Sequence, residues 1–246
     1  MTAILKLNTV AKDVTKNPPP ATMERAGLFI VNDYNDTKYD LGDGPDNDAY
    51  NMAKIVGQFG FKNWYLRNGT KRQFLQLLDY FFENTTVHLV VFYVGHGTNV
   101  KDMEGDEADG YDEAFFFKDG VMIDDILISH LIDHKNPSSK LTLLTDACHS
   151  GSVWDIQGGN FKGRKLPENI ISISAASDQQ TAKQTVVENS EQGMFSYNFR
   201  KLLKQNRDLT PRELKTGLRT VLAKYQQTVN IATTSGELVD SPLMQP

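Results

Sequence analysis

Short apolar runs alternate with segments of helical periodicity along most of the chain. Several of the runs are apolar at consecutive positions, which is typical of strands in a parallel sheet covered by helices on both faces. The predicted strands are AGLFIV (26–31), NWYLR (63–67), VHLVVFYV (87–94), KLTLLT (140–145) and NIISISAA (169–176).

Five segments with helical periodicity lie between and after these runs, and two have a clear start. Thr70 and Gln73 have capping-box spacing, and Thr210 precedes Pro211 and Glu213 in the order expected of a helix beginning. The predicted helices cover residues 47–60, 70–82, 123–134, 196–205 and 210–225.

The order of these elements is β, α, β, α, β, α, β, β, α, α. It predicts an α/β fold, a doubly wound sheet with its functional site at the carboxyl ends of the strands. Residues 1–22, which include KNPPP, are expected to form an extended N-terminal arm, and residues 23–246 a single domain. The acidic segment 99–120 and the Gly- and Lys-rich segment 153–168 follow strands and are expected as long loops at the same edge.

Charge and composition exclude several classes of function. A net charge of -5 without a basic stripe argues against nucleic acid as a partner. No apolar run is long enough to cross a membrane. The N-terminus lacks the apolar core of a signal peptide, and one cysteine cannot form an internal disulfide, so we expect a cytoplasmic protein.

Two predicted strands end close to a reactive side chain. VVFYVGHG brings His96 to the functional edge, and LTLLTDACHSG brings Cys148, the single cysteine. An imidazole beside a thiol favours the thiolate and can protonate a leaving amine, so the pair predicts acyl transfer. The backbone N–H groups of Gly97 and Cys148 are candidates for an oxyanion hole. The alternatives are a buried structural thiol and a histidine in a turn, while His149 competes less well as the base because it adjoins the cysteine.

These two motifs together, YVGHG and DACHSGS, resemble the histidine and cysteine motifs of the metacaspases, within the caspase-like clan of cysteine peptidases. The resemblance covers the chain from about residue 23 onward. It implies a caspase-like three-layer sandwich and peptide hydrolysis, with His96 as general base and acid and Cys148 as nucleophile. The sequence departs from the family pattern at Val94 and Pro45, where the pocket usually carries more polar residues.

The resemblance also implies cleavage after Arg or Lys, with Asp48 and Asp146 matching the acidic residues of the family's substrate pocket. Two carboxylates beside a cleft would favour a cationic side chain on physical grounds as well. The alternative for Asp48 is a carboxylate that stabilises the N-terminus of a helix.

Many metacaspases need calcium, and the resemblance assigns its ligands to Asp112, Asp124, Asp125 and Asp155. Calcium prefers hard oxygen ligands gathered from several loops. The alternative is that Asp124 and Asp125 only open a helix and that the other carboxylates are solvated.

The sequence therefore predicts a calcium-stimulated cysteine endopeptidase that acts as a monomer on protein or peptide substrates. One of Lys162, Arg164 and Lys165 is a candidate autoprocessing site, against the alternative of a solvated basic loop. The rival function is a catalytically weak caspase-like scaffold that binds a partner protein. A small-ligand domain of the doubly wound type is disfavoured because no Gly-rich phosphate motif follows the first strand.

Overall fold

The computed structural model describes residues 1–101, 111–147, 153–157, 159–177, 184–187 and 190–245. A seven-stranded sheet forms its centre, and every neighbouring pair of strands is parallel except the last. In spatial order the strands are β1 (Lys12–Asp13), β3 (Lys62–Arg67), β2 (Met23–Val31), β4 (Thr85–Val94), β8 (Lys140–Asp146), β11 (Ile170–Ser177) and the antiparallel edge strand β14 (Gln227–Thr233).

Helices cover both faces of this sheet. Phe29 and Val31 of β2 belong to one apolar core and Leu28 and Ile30 to another, because alternate side chains of a strand point to opposite faces. The first core lies under α1 (Ala3–Leu7), α2 (Gly44–Gly57), α5 (Met194–Gln205) and α6 (Pro211–Ala223), and the second under α3 (Lys71–Asn84) and α4 (Asp124–His134).

This architecture confirms the predicted α/β fold with a mostly parallel sheet between two helical layers. The capping boxes also form as the sequence predicts. The Thr70 hydroxyl accepts from the Gln73 backbone N–H at 3.1 Å, and the Gln73 side chain accepts from the Thr70 N–H at 2.9 Å. Thr210 and Glu213 make the same reciprocal pair at the start of α6. Among the described residues, no helix is both long and apolar enough to cross a membrane.

The N-terminal segment differs from the extended arm predicted for residues 1–22. Residues 3–7 form α1, and β1 adds a parallel edge strand beside β3. Leu7 is fully buried in the core that also contains α2. The consecutive prolines exclude helix only at positions 18–20, whereas Leu7 and Ala11 precede them and bury apolar surface. The segment therefore packs on the core that also contains α2, α5 and α6.

The two segments expected as loops contain additional strands. β5 (Gly97–Lys101), β6 (Tyr111–Phe117) and β7 (Gly120–Ile123) form a small antiparallel sheet, because Ala114, Phe115 and Phe117 of β6 bury their side chains. In the second segment, β9 (Asn160–Phe161) and β10 (Arg164–Lys165) form a short hairpin. Two further elements follow, the hairpin of β12 (Gln184–Val187) with β13 (Ser190–Gly193) and a 3-10 helix at Gly236–Asp240.

Candidate active site

The carboxyl ends of β4 and β8 lie side by side at one edge of the sheet. Their register pairs Val94 with Asp146. His96 follows two residues after Val94, and Cys148 follows two residues after Asp146 in the sequence. Cys148 and His149 lie outside the described residues. Gly97, the first residue of β5, pairs with Phe115, and its role in an oxyanion hole stays a prediction.

The His96 imidazole is partly exposed and has a defined orientation. Its Nε2 lies 2.9 Å from the backbone carbonyl oxygen of Tyr39. A carbonyl oxygen only accepts, so Nε2 carries the proton and Nδ1 keeps its lone pair. The ring also packs against the Tyr34 ring, with 4.8 Å between the centroids and 31° between the planes. The described contacts therefore leave Nδ1 as the basic nitrogen.

The backbone of His96 is held by two buried tyrosines. The His96 N–H donates to the Tyr34 hydroxyl at 2.7 Å, and the Tyr93 hydroxyl donates to the His96 carbonyl at 2.7 Å. The Tyr34 hydroxyl donates to the Phe116 carbonyl at 2.8 Å, and the Tyr93 hydroxyl oxygen lies 3.1 Å from the same carbonyl oxygen. Burial, together with the neighbouring Tyr93, raises the pKa of Tyr34, and burial raises the pKa of Tyr93 to about 12. Both phenols therefore remain neutral hydrogen-bond donors at physiological pH.

Gly95 makes room for this arrangement. A Cβ at Gly95 would lie 2.7 Å from the Tyr34 hydroxyl oxygen and 3.0 Å from Asn32 Cβ. The first of these is closer than side-chain atoms normally approach, so only glycine lets the chain pass between β4 and the loop after β2.

Asp48 and Asp146 lie together beneath the same edge. The Gly193 backbone N–H donates to Asp48 Oδ1 at 2.7 Å, and the Ser196 hydroxyl donates to Asp146 Oδ2 at 2.9 Å. A Cβ built on Gly193 would be 2.8 Å from Asp48 Oδ2 and 2.6 Å from Asp146 Oδ2, so both carboxylates border one small space. Both are buried, with relative exposures of 2% and 8%.

Burial disfavours the charged forms of this acidic pair. It raises the pKa of Asp48 well above its ordinary range, and the charge of Asp146 adds to the effect. Burial also raises the pKa of Asp146 to about 6, against the opposing hydrogen bond from Ser196. No cationic side chain of the described residues lowers either pKa. The pair is therefore a buried acidic site that a bound cation would stabilise.

A separate network at the start of α2 involves Asp46. The Arg67 guanidinium bonds Asp46 Oδ1 at 2.9 Å and also bonds Asp33. Arg67 thus compensates the charge of Asp46, whereas Asp48, two residues later in α2, faces Asp146 and Gly193. The expectation that Asp48 only stabilises a helix terminus is not favoured, since its carboxylate contacts the backbone of β13.

Three of the four predicted calcium ligands lie in one region. Asp112 is on β6, while Asp124 and Asp125 begin α4. The pKa of Asp124 is raised to about 7 by burial and by the charges of Glu113, Asp125 and Asp112. Asp155 is exposed, and its Oδ1 accepts from the Gln157 N–H at 3.2 Å. Within the described ranges, no three of these aspartates bring carboxylate oxygens within 4.8 Å of one another.

The donor set of this region nevertheless fits calcium. Asp112 and Asp124 are buried carboxylates (7% and 5% exposed), and such oxygens are the ligands that calcium prefers. The Lys162 ammonium lies 2.5 Å from Asp125 Oδ2, so a cation already occupies one side of the cluster. Calcium would have to replace that lysine at Asp125.

Several positioning residues were missed by the sequence analysis. Tyr34, Tyr93, Gly193 and Ser196 all contact predicted site residues, but only Tyr93 stands in a recognisable motif, as the first residue of YVGHG. The tyrosines could have been noticed only as polar aromatic residues at the ends of predicted strands. Ser196 lies in a helix that the sequence predicts, but its position in that helix does not indicate that it bonds Asp146.

Comparison with known proteins gives matches over most of the chain. A family model for the caspase domain of peptidase family C14 matches residues 24–240. Metacaspase-1 of Schizosaccharomyces pombe is 25% identical over 280 residues, which cover 83% of this chain and 66% of that protein. Metacaspase-1 of Meyerozyma guilliermondii is 24% identical, covering 74% of this chain and 62% of its own length. The chain thus spans about two thirds of the length of these relatives.

Solved structures show the same fold at lower sequence identity. A protein from Geobacter sulfurreducens superposes with a TM-score of 0.64 at 18% identity, covering 90% of this chain and 99% of that one. Caspase-1 from Spodoptera frugiperda superposes with a TM-score of 0.59 at 15% identity, covering 89% and 91%. These neighbours support the three-layer α/β architecture.

Proposed function

The chain belongs to the caspase domain family, and on that premise we propose that it is a cysteine endopeptidase that cleaves peptide bonds after Arg or Lys. The observation that carries the proposed specificity is the buried pair of Asp48 and Asp146, which no described cationic side chain compensates. A substrate guanidinium or ammonium would supply the missing positive charge through charge-assisted hydrogen bonds.

Cys148 is the proposed nucleophile, and the strand register supports its pairing with His96. Val94 of β4 and Asp146 of β8 are paired in the register of two parallel strands. In the sequence, His96 comes two residues after Val94, and Cys148 comes two residues after Asp146. The same register makes Asp146 the link between the nucleophile and the specificity pocket, because it ends the strand that leads to Cys148.

The proposed reaction uses His96 twice. Nδ1 accepts the thiol proton, and the thiolate attacks the carbonyl carbon on the carboxyl side of Arg or Lys. When the C–N bond breaks, the same imidazole gives its proton to the leaving amine, and an acyl-enzyme remains. His96 then removes a proton from water, whose oxygen attacks the thioester carbonyl carbon. The C–S bond breaks, the acid is released, and the imidazolium returns its proton to the Cys148 sulfur. The hydrogen bond from Nε2 to the Tyr39 carbonyl keeps the required tautomer throughout.

Calcium stimulation is proposed through Asp112, Asp124 and Asp125, with Asp155 as a further ligand. Bound calcium would neutralise the crowded carboxylates at β6 and at the start of α4. β6 also supplies Phe116, whose N–H donates to the His96 carbonyl at 3.1 Å and whose carbonyl accepts from the Tyr34 hydroxyl at 2.8 Å. Fixing β6 would therefore help to position His96.

The remaining expectations are part of the same proposal. We place the protein in the cytoplasm, as a monomer that acts on proteins or peptides. Autoprocessing after Lys162, Arg164 or Lys165 would require the β9–β10 hairpin to open, since Lys162 pairs with Asp125 and Arg164 with Asp133.

Hydrolysis of fluorogenic peptides ending in Arg, Lys or Asp tests this function, with calcium and with a chelator. We expect the Arg and Lys peptides to be cleaved and the Asp peptide not to be cleaved. Cys148→Ala and His96→Ala should each abolish turnover. Asp48→Asn and Asp146→Asn should lower kcat/KM for the Arg peptide by about 100-fold, because each removes a charge from the buried pocket.

The same assay separates the proposed enzyme from the rival scaffold. Equal turnover in the native protein and Cys148→Ala would exclude the mechanism. Folded native protein that cleaves none of the three peptides, with or without calcium, would favour the binding scaffold. Preference for the Asp peptide would leave a peptidase but refute the assigned pocket.

A further inference from the structure

A cluster of two histidines and two carboxylates joins α3 to α4. His130 and His134 are one turn apart on α4, and Asp79 and Glu83 are one turn apart on α3, so each pair faces the neighbouring helix. His130 Nδ1 lies 2.7 Å from Asp79 Oδ1, and His134 Nε2 lies 3.6 Å from Asp79 Oδ2. Both imidazoles thus direct a nitrogen at the same carboxylate.

Glu83 sets the orientation of His134. Its Oε1 lies 2.5 Å from His134 Nδ1, on the other side of the ring from Asp79. A carboxylate that accepts from one imidazole nitrogen leaves the second nitrogen with its lone pair, which is how a carboxylate commonly orients a metal-bound histidine. Nε2 of His134 therefore faces Asp79 and can bind a metal ion when it carries no proton.

The geometry points to a transition-metal site. We propose that Asp79, His130 and His134 bind a zinc-like divalent ion that links α3 to α4, with Glu83 orienting His134. One ligand atom from each of the three residues lies within 4.8 Å of the other two. Bonds of about 2.0–2.1 Å in a tetrahedron would place the ligand atoms about 3.3 Å apart, which lies between the two distances of 2.7 and 3.6 Å from the imidazoles to Asp79. A water molecule completes the coordination.

The donor chemistry selects among metals. Two imidazoles with one carboxylate suit zinc, copper and nickel better than calcium or magnesium, which prefer oxygen ligands. The side chains of His130, Asp79 and His134 are 30%, 23% and 30% exposed, so an ion can reach them from solvent.

The proposed site lies away from the catalytic edge. Helix α3 ends immediately before β4 begins, and α4 ends shortly before β8 begins. The cluster is therefore near the amino ends of the strands that carry His96 and Asp146 at their carboxyl ends. Its ligands also differ, because it contains two imidazoles, whereas the aspartates at the start of α4 offer only oxygen atoms.

Zinc binding to the full-length protein tests this proposal. Calorimetric titration with zinc should use a Cys148→Ala background without calcium, so that the catalytic thiol does not bind the metal. We expect one site. His130→Ala and His134→Ala should each weaken zinc binding at least about 100-fold, and Glu83→Gln about tenfold. Asp240→Asn, which removes an exposed carboxylate paired with Arg212, should leave the affinity unchanged.

Two further measurements keep the test decisive. Asp79→Asn has nearly the same shape as the native residue and should weaken zinc binding even if a histidine variant is unstable. Cobalt should give the visible absorption of a nitrogen- and oxygen-ligated tetrahedral ion in the parent and lose it in Asp79→Asn. The proposal is wrong if the parent binds no zinc, or if binding survives in both histidine variants and in Asp79→Asn.

Discussion

Asp48 on α2 and Asp146 at the end of β8 meet around Gly193, with one carboxylate oxygen of each within 3 Å of the position that a Gly193 Cβ would occupy. A backbone N–H and a serine hydroxyl each satisfy one oxygen of the pair. Both carboxyl groups are buried, and no cationic side chain of the described residues compensates them. The cost of ionising both is relieved when a cation enters.

The acidic pair predicts a characteristic pH dependence. The pKa of Asp146 is about 6 in the folded protein and about 4 when exposed, so its contribution to stability is present below pH 4 and lost as the pH rises through 6. Asp146→Asn should therefore remove the Asp146 share of the loss of stability, about 3 kcal/mol at most, measured by chemical unfolding from pH 4 to 7, while the share of Asp48 remains.

Binding of a cationic ligand should change in the opposite direction over the same range. Benzamidine needs ionised carboxylates, so its affinity should rise with pH through the pKa of Asp146, about 6, and further while Asp48 ionises, by up to about tenfold per pH unit for each group. Its neutral analogue benzamide is the control and should bind weakly at every pH. A benzamidine affinity that is constant from pH 4 to 7 would contradict the proposed pocket.

Gly193→Ala should block the pocket without disturbing the backbone. Gly193 has φ -71° and ψ 138°, which alanine adopts freely, but the added methyl group would lie 2.6 Å from Asp146 Oδ2. We expect kcat/KM for the Arg peptide to fall by about tenfold or more, mainly through KM, because the methyl group displaces the Asp48 and Asp146 carboxylates that are proposed to bind the substrate charge.

Gly236→Ala is the matched control for this prediction. No atom lies within 4 Å of the added methyl group there, so activity should not change. Equal kinetics for the two variants would show that Gly193 does not border the substrate pocket.

The sequence was sufficient for the parts of the site that stand at strand ends. The apolar runs before His96 and Cys148 predict neighbouring buried strands, and the register of Val94 with Asp146 agrees with that reading. The pairing of Asp48 with Asp146 came from a family resemblance, since no local pattern links α2 to β8. Their contacts with Gly193 and Ser196 come from a third region of the chain and leave no periodic signal.

The small sheet next to His96 shows why other parts could not be predicted. The charged residues of segment 99–120 favoured a solvated loop, yet β6 buries Phe115 and Phe117 in the core under α3. The hydrophobic contribution of these side chains outweighs the polar character of the segment as a whole. Phe116 lies between them, and its backbone carbonyl contacts the hydroxyls of Tyr34 and Tyr93. This contact depends on the direction of the backbone and not on the residue type, so the sequence does not indicate it.

Tyr34→Phe should loosen His96 while leaving the fold intact. The substitution removes the acceptor of the His96 N–H and one donor to the Phe116 carbonyl, both in a buried region. We expect a loss of about 1–3 kcal/mol in the free energy of unfolding and a decrease of about tenfold or more in kcat.

Tyr80→Phe provides the comparison for Tyr34→Phe. The Tyr80 hydroxyl also donates to a backbone carbonyl, that of Pro20 at 2.8 Å, but at the surface. Its loss should change stability by less than about 0.5 kcal/mol and leave kcat unchanged. A fully active Tyr34→Phe enzyme would rule out the positioning role assigned to Tyr34.

Lys162→Gln should make the enzyme respond to lower calcium concentrations. The Lys162 ammonium, 2.5 Å from Asp125 Oδ2, competes with calcium for that carboxylate, so its removal should lower the half-activating concentration by about three- to tenfold. Lys165→Gln removes a charge from the same hairpin, where Lys165 pairs with Glu168, and should have no such effect. The measurement is peptide hydrolysis against calcium concentration, with intact chains verified on a gel because Lys162 is also a candidate cleavage site. Identical calcium curves for the two variants would show that Asp125 does not bind the activating ion.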